Sequence, residues 1–319
     1  GDLTEFLVAW KATMADNEYP VLVGGNPPGM ESSFDFIDRT AMIGCIFGTN
    51  KVVFALEDPA LMERYRTMGE WYKLGLVNPD AAQVTETAID TKKPRIASVQ
   101  AWPGYDYSVA GYNTSMTCYF GPNLSTDGVQ GSMNAFSITL ENDLERFEAA
   151  MKYQELVNTD KLYRDTLRYG VQGYHWNYVT EEQSKDCAGG VLKTQVGNDN
   201  YGPWAFSQGS YSLASIAVSQ AQVDGTAKAP VMNQWDLYFA NCENAEVSAI
   251  SGFTFDSSKW KANYAEITAI KDQYYKSYAS GTINIDDVYD EMMEKMNAAG
   301  LQDIIEDAQA QLDAYLASK

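Results

Sequence analysis

The chain has 319 residues, 23 of them Lys or Arg against 43 Asp or Glu, for a formal net charge of -20. That balance repels nucleic acid and anionic membrane surfaces, which bind through clustered cations that this sequence lacks. Apolar residues make up 45%, enough for a globular fold of about two domains, and no run of about 20 apolar residues marks a membrane span or a direct membrane insertion.

In chain order, Leu3, Phe6, Leu7, Trp10 and Met14 follow the spacing of a core-facing helix. Pro20-Val21-Leu22-Val23 reads as a buried strand, followed by a polar, aromatic loop from Asn26 to Thr40. Lys51 to Leu56 reads as a strand or hairpin arm. Leu61, Tyr65, Met68 and Tyr72 mark a second helix that stops near Gly75, with Pro79 beyond. Ile96 to Val99 is a short predicted strand running into an aromatic loop, 100–107. After a Gly-rich link, 121–131, Ala135 to Ile138 is a predicted strand, and Asn142 with Glu145 fits the capping pair of a helix with Leu144, Phe147, Ala150, Met151 and Val157 on its apolar face. From Tyr174 to Asn200 the chain is polar and loop-rich. Val247 to Phe253 reads as a strand. Three helices close the sequence, patterned by Trp260, Tyr264, Ile267, Ile270, Tyr274 and Tyr278, then by Val288, Met292, Met293 and Met296, and finally by Leu301, Ile304, Ile305, Ala308, Leu312 and Leu316. Alternating helices and strands predict an α/β fold with a helical C-terminal third.

The chemistry-bearing residues are few. The four cysteines, Cys45, Cys118, Cys187 and Cys242, are far apart; three disulfide pairings and four free thiols all remain open, and a structural zinc site is disfavoured. His175 is the only histidine and reads as a surface or packing residue beside Tyr174 and Trp176. The motifs of metalloproteases, serine hydrolases, dinucleotide-binding proteins and P-loop enzymes are missing, so no cofactor and no metal is expected.

Several ordered motifs carry a resemblance. Met133-Asn134-Ala135-Phe136-Ser137 is followed by Asn158-Thr159-Asp160, Tyr169-Gly170-Val171-Gln172-Gly173 and Gly252-Phe253-Thr254-Phe255-Asp256. Ala299-Gly300 and Gln309-Ala310-Gln311-Leu312-Asp313 come near the end. In this order they resemble the family 1 extracellular solute-binding proteins of carbohydrate-type ABC importers, within them the lipoproteins that carry a C-terminal DUF3502 region. Gln172 stands where the family has Glu, and Trp260-Lys261 where it has Val-Lys.

The resemblance implies a type II periplasmic-binding-protein-like fold, mainly its C-terminal lobe. On that basis residues 1–120 are expected to form the first part of the lobe and 121–165 a crossing segment that packs on an absent N-terminal lobe. Residues 166–319 are then the remainder. The chain opens on Gly1-Asp2-Leu3 without Met, the start expected of a processed or truncated chain. The implied activity is capture of a small solute, a sugar or oligosaccharide, for ABC permease subunits at the cell surface, with no catalysis. A secreted glycoside hydrolase is the alternative, since 43 acids can supply a carboxylate pair.

Sugars are held by flat aromatic faces and planar polar groups in preformed clefts. Three segments offer these groups. The first is the loop carrying Trp102, Tyr105 and Tyr107, at a place where maltose-type relatives carry a ligand-stacking Trp. The second is Tyr201-Gly202-Pro203-Trp204. The third is Phe34-Asp35-Phe36-Ile37-Asp38, where Phe34 and Asp35 would meet a ring and its hydroxyls, and whose plainer reading is a short helix with solvated acids. Trp235-Asp236 reads as a fourth pair of the same type or as simply structural.

Overall fold

The structure is a computed structural model and describes residues 2–23, 34–83, 108–109, 112–113, 123–126, 135–194 and 213–319. In chain order the elements are helix α1 (Asp2–Lys11), strands β1 (Phe34–Asp38), β2 (Ile43–Ile46) and β3 (Val52–Phe54), and helix α2 (Pro59–Lys73). Short strands β4 (Ser108–Val109), β5 (Tyr112–Asn113) and β6 (Asn123–Leu124) follow, then helices α3 (Leu144–Thr159) and α4 (Lys161–Tyr169). Next come β7 (Trp176–Tyr178), β8 (Val191–Lys193), β9 (Ala217–Val218), α5 (Gln220–Val223), α6 (Gln234–Glu243) and β10 (Glu246–Val247). Helices α7 (Lys261–Ala279), α8 (Ile285–Ala298) and α9 (Leu301–Ala317) complete the order.

The chain divides into two units. The first comprises residues 1–100, 108–129 and 242–319; the second comprises 101–107 and 130–241. The expected crossing segment, 121–165, meets this division between Val129 and Gln130.

In the first unit, β1, β2 and β3 form an antiparallel sheet with Asp35 opposite Cys45 and Ile43 opposite Phe54. Gly44 is required in β2 because a Cβ there would sit 2.1 Å from the Asp35 carbonyl oxygen. The sheet shares one apolar core with α2, α7, α8 and α9, built on Phe54, Leu61, Tyr278, Ile285, Met292 and Ile304. Burying such side chains fully contributes about 1.5–3 kcal/mol each. Local chemistry agrees with this packing. Asp58 caps α2, accepting from the Ala60 amide at 2.9 Å, with Pro59 in the first turn. Asn284 caps α8, whose first turn carries Asp286 and Asp287, the favourable sign for a helix N-terminus. Gly300 joins α8 to α9 in the left-handed conformation (φ 93°), which favours glycine. A smaller core of Leu7, Val21, Val23, Met68, Leu76 and Val77 joins α1 to α2.

In the second unit, β7 pairs antiparallel with β8, and β8 parallel with β9. Trp176, Val191 and Tyr169 form one small core, and Val179, Cys187 and Val218 another. Asp143 caps α3 by accepting from the Arg146 amide at 3.1 Å, and Asp160 caps α4 by accepting from Tyr163 at 2.9 Å.

Several expectations need correction. The helix at the N-terminus forms, but only Leu7 of its stripe is fully buried, while Leu3 and Phe6 are exposed; one short helix covers one partner surface, not a whole stripe. Residues 34–38 form a strand, neither loop nor short helix. Its plainer reading as a site of solvated acids fails at Asp35, which is buried. Strand β2 was not anticipated. Ala135 to Ile138 is not a strand: Ile138–Asn142 is a 3-10 turn capped by Ser137, whose Oγ accepts from Thr139. The cap of α3 falls on Asp143, one residue past Asn142. Of the strand predicted over 247–253 only Val247 is in a strand, Glu246–Val247, because turns starting at Ser248 and Ile250 bend the chain away. The strand predicted over 96–99 lies outside the described residues.

Candidate ligand-binding site

Asp35 is 1% exposed. A buried carboxylate is costly unless its oxygens are hydrogen-bonded. Here Oδ1 accepts from the Thr126 amide at 2.8 Å, and Oδ2 accepts from the Thr126 hydroxyl at 3.3 Å and from the Ser248 hydroxyl. Phe34 and Phe36 pack edge to face at 4.9 Å in the same core. Asp35 does accept hydroxyl hydrogen bonds, as its residue type suggested, but from this chain's own Ser and Thr. Phe34 and Asp35 therefore present no free surface to a solute. Across the sheet, burial and then the Asp35 charge push the Cys45 thiol up to about 12, which keeps it protonated. Cys45, Cys187 and Cys242 are free thiols, and Cys118 lies outside the described residues.

The second unit carries a polar knot that the sequence did not signal. Asp165, on α4, is fully buried and accepts from the Ser215 amide at 2.8 Å, the Ser215 hydroxyl at 2.6 Å, the Tyr178 hydroxyl at 2.5 Å and Lys161 Nζ at 3.3 Å. Tyr169 donates to the Ser215 carbonyl at 2.6 Å. Burial, then the bond to Asp165, push the Tyr178 phenol well above its ordinary range. At Thr194 the chain is fixed again: its amide donates to the His175 carbonyl at 2.9 Å and its hydroxyl to the Tyr174 carbonyl at 2.7 Å. These bonds hold both roots of the segment bearing Tyr201 and Trp204.

Tyr201 and Trp204 themselves, and Trp102, Tyr105 and Tyr107, lie outside the described residues. Trp235 begins an aromatic cluster on α6, 5.9 Å from Tyr238, which in turn is 5.7 Å from Phe239. His175 Nδ1 accepts from the Val171 amide at 2.9 Å, a local structural contact. Among the described residues no group of three His, Cys, Asp or Glu can hold a metal ion, and no helix is long and apolar enough to cross a membrane.

Residues 249–317 match DUF3502, a domain of unknown function. They span the turn after Ser248 and helices α7 to α9. A carbohydrate ABC transporter substrate-binding protein of Streptococcus pneumoniae is 22% identical over 275 residues, covering 85% of this chain and 53% of the relative. Over most of its length the chain is thus similar to a carbohydrate ABC transporter substrate-binding protein. The chain spans about half the length of that curated relative. Solved structures show the same fold. The N-glycan transport solute-binding protein of Streptococcus pneumoniae superposes with a TM-score of 0.69 at 16% identity, covering 99% of this chain and 68% of that one. Its complex with Man5GlcNAc gives 0.65 at 18% identity, with 99% and 67% covered. An HMO-binding, ABC-transporter-associated solute-binding protein from Bifidobacterium longum infantis gives 0.56 at 15%, with 98% and 69% covered. The type II binding-protein-like architecture expected from the sequence is thus the fold observed.

Proposed function

We propose that this chain is part of the extracellular solute-binding component of an ABC importer, which captures an oligosaccharide and delivers it to permease subunits without chemical change. The observation that carries the reading is the extent of the match to a carbohydrate ABC transporter substrate-binding protein: it covers 85% of the chain and so is not confined to the DUF3502 region. In the whole protein a lipid anchor at the cell surface would keep the captured solute near its permease.

The proposed contacts are Trp102, Tyr105 and Tyr107 in one segment and Tyr201 and Trp204 in the other. Aromatic faces stack on the C–H surface of sugar rings while hydroxyl and indole N–H groups orient them. The test is calorimetric titration of the whole protein with a panel of mannose-, galactose- and glucose-containing oligosaccharides, with product analysis of the same samples. Saturable binding with intact sugar is expected. Released monosaccharide, or no binding to any member, overturns the reading.

A further inference from the structure

Asp35 joins two stretches that are far apart in sequence and alike in position. The chain passes from the first unit into the second after Val129 and returns at Cys242, apart from the excursion of 101–107. Thr126 stands three residues before the first passage and Ser248 six residues after the second. On the first-unit side the two paths run as a parallel pair, with Asn123 opposite Glu246 and Leu124 opposite Val247. The Ser248 amide extends the pair by donating to the Leu124 carbonyl at 2.9 Å. A pair of two-residue strands is too short to be stable alone.

From this placement we infer that Asp35 is a positioning residue that clamps both connecting paths to the core of the first unit and so fixes the stationary end of the linkage between the units. One oxygen holds the amide of the outgoing path and the other holds a hydroxyl from each path. The two hydroxyls also lie 3.0 Å apart. Ser248 Oγ accepts from the Ile250 amide at 3.0 Å, and Ile250 is fully buried in the main core. On the other side, β1 carries Asp35 opposite Cys45 of β2. A valine would fill this interior position without the desolvation cost of a carboxylate. What the carboxylate adds is the simultaneous hold on Thr126 and Ser248. This role goes beyond solute capture and does not depend on which solute is bound.

The experiment uses fluorophores introduced through an unnatural amino acid at the exposed positions Glu148 and Glu294, one in each unit, and single-molecule energy transfer on the ligand-free chain. Asp35→Val removes every acceptor, and Ser248→Ala releases one path only. Ile267→Val, a cavity in the same unit's core, controls for loss of stability. With the clamp as inferred, the inter-unit distance distribution widens in Asp35→Val, and less so in Ser248→Ala, while Ile267→Val leaves it unchanged. Amide exchange at Thr126 and Ser248 speeds up about tenfold or more, the loss of one buried hydrogen bond, with Met292 and Ile304 still protected. If Asp35→Val does not fold, Ser248→Ala alone decides. An unchanged distribution with Ser248→Ala, or widening matched by Ile267→Val, overturns the clamp.

Discussion

Gln311 grips the backbone of Asp256 with both ends of its amide. Its Oε1 accepts from the Asp256 amide at 3.0 Å, and its Nε2 donates to the Asp256 carbonyl at 3.2 Å. Two residues earlier, Gln309 does the same to the edge of the sheet, accepting from the Val52 amide at 2.7 Å and donating to the Asn50 carbonyl at 3.1 Å. The Gln-Ala-Gln-Leu-Asp motif is thus a pair of staples on α9, one for each flanking segment. Gln311→Ala is expected to lower unfolding free energy by about 1–2 kcal/mol, read from urea denaturation. Gln311→Glu should cost at least as much at neutral pH, because its carboxylate would face Asp307, which now accepts from Gln311 at 3.1 Å. A Glu variant as stable as the parent would refute the two-ended grip.

Two carboxylates make the first unit sensitive to acid. Asp256 is held below the usual range by hydrogen bonds from Ser258. Burial pushes Asp307 up, but bonds from Lys259 at 2.7 Å and Trp260 at 2.8 Å outweigh it and hold it low. With folded values below unfolded ones, their stabilisation is fully present above an unfolded pKa of about 3.9 and is lost as pH falls through the folded values. Thermal midpoints should therefore fall from pH 5 to pH 3, and Asp307→Asn should flatten that slope. A slope unaltered by the substitution would assign the acid sensitivity elsewhere.

The Cys45 thiol, pushed up to about 12, should be inert in the native protein. Only thiolates react at useful rates. Intact-mass analysis after maleimide treatment at pH 8 is expected to show Cys45 unmodified until denaturant is added. Modification of Cys45 under native conditions would contradict its burial.

On α3, Leu144 and Met151 are exposed, as are Phe136 and Ile138 just before it, with Phe136 stacked edge to face on Phe147 at 5.5 Å. Leu144, at 69% exposure, should tolerate Leu144→Lys with a stability change within about 0.5 kcal/mol. A clear drop in the thermal midpoint would mean the side chain is covered in solution.

For the proposed solute contacts, Trp204→Ala and Trp102→Ala should each weaken oligosaccharide affinity roughly tenfold or more, as the loss of an aromatic anchor does. The thermal midpoint of the ligand-free protein should hold. Calorimetry on each variant decides, and affinity equal to the parent's would remove that residue from the site.

Much of the first unit was legible because its helices obey simple rules. Ile267, Tyr274 and Tyr278, then Met292 and Met296, then Ile304, Ala308 and Leu312 recur at helical spacing, and all are buried. Gly75 follows the end of α2, where its stop chemistry places it. The sheet was harder to read. Ile43-Gly44-Cys45-Ile46 has no polar alternation, because both faces are covered, and its glycine answers to a neighbour's carbonyl rather than to a turn. Asp35 looked like a solvated or solute-facing acid, since nothing local shows that its partners lie 91 and 213 residues away. Asp165 was hidden for the same reason, with its Ser215 partner 50 residues on. A long-range hydrogen bond leaves no periodicity behind. The family likeness was carried by ordered short motifs, of which the paired glutamines now have a physical explanation.

The sheet at residues 34–54 shares its core with helices at 261–317, and a continuous stretch of the second unit, 130–241, lies between them in sequence. On the ribosome, then, the inner unit is complete while the outer one is still waiting. The early strands must remain without the cover of those helices until more than two hundred further residues have been synthesised. Closure of the outer core therefore waits for residues 261–317, and the exposed interval is the time when this chain most needs a chaperone.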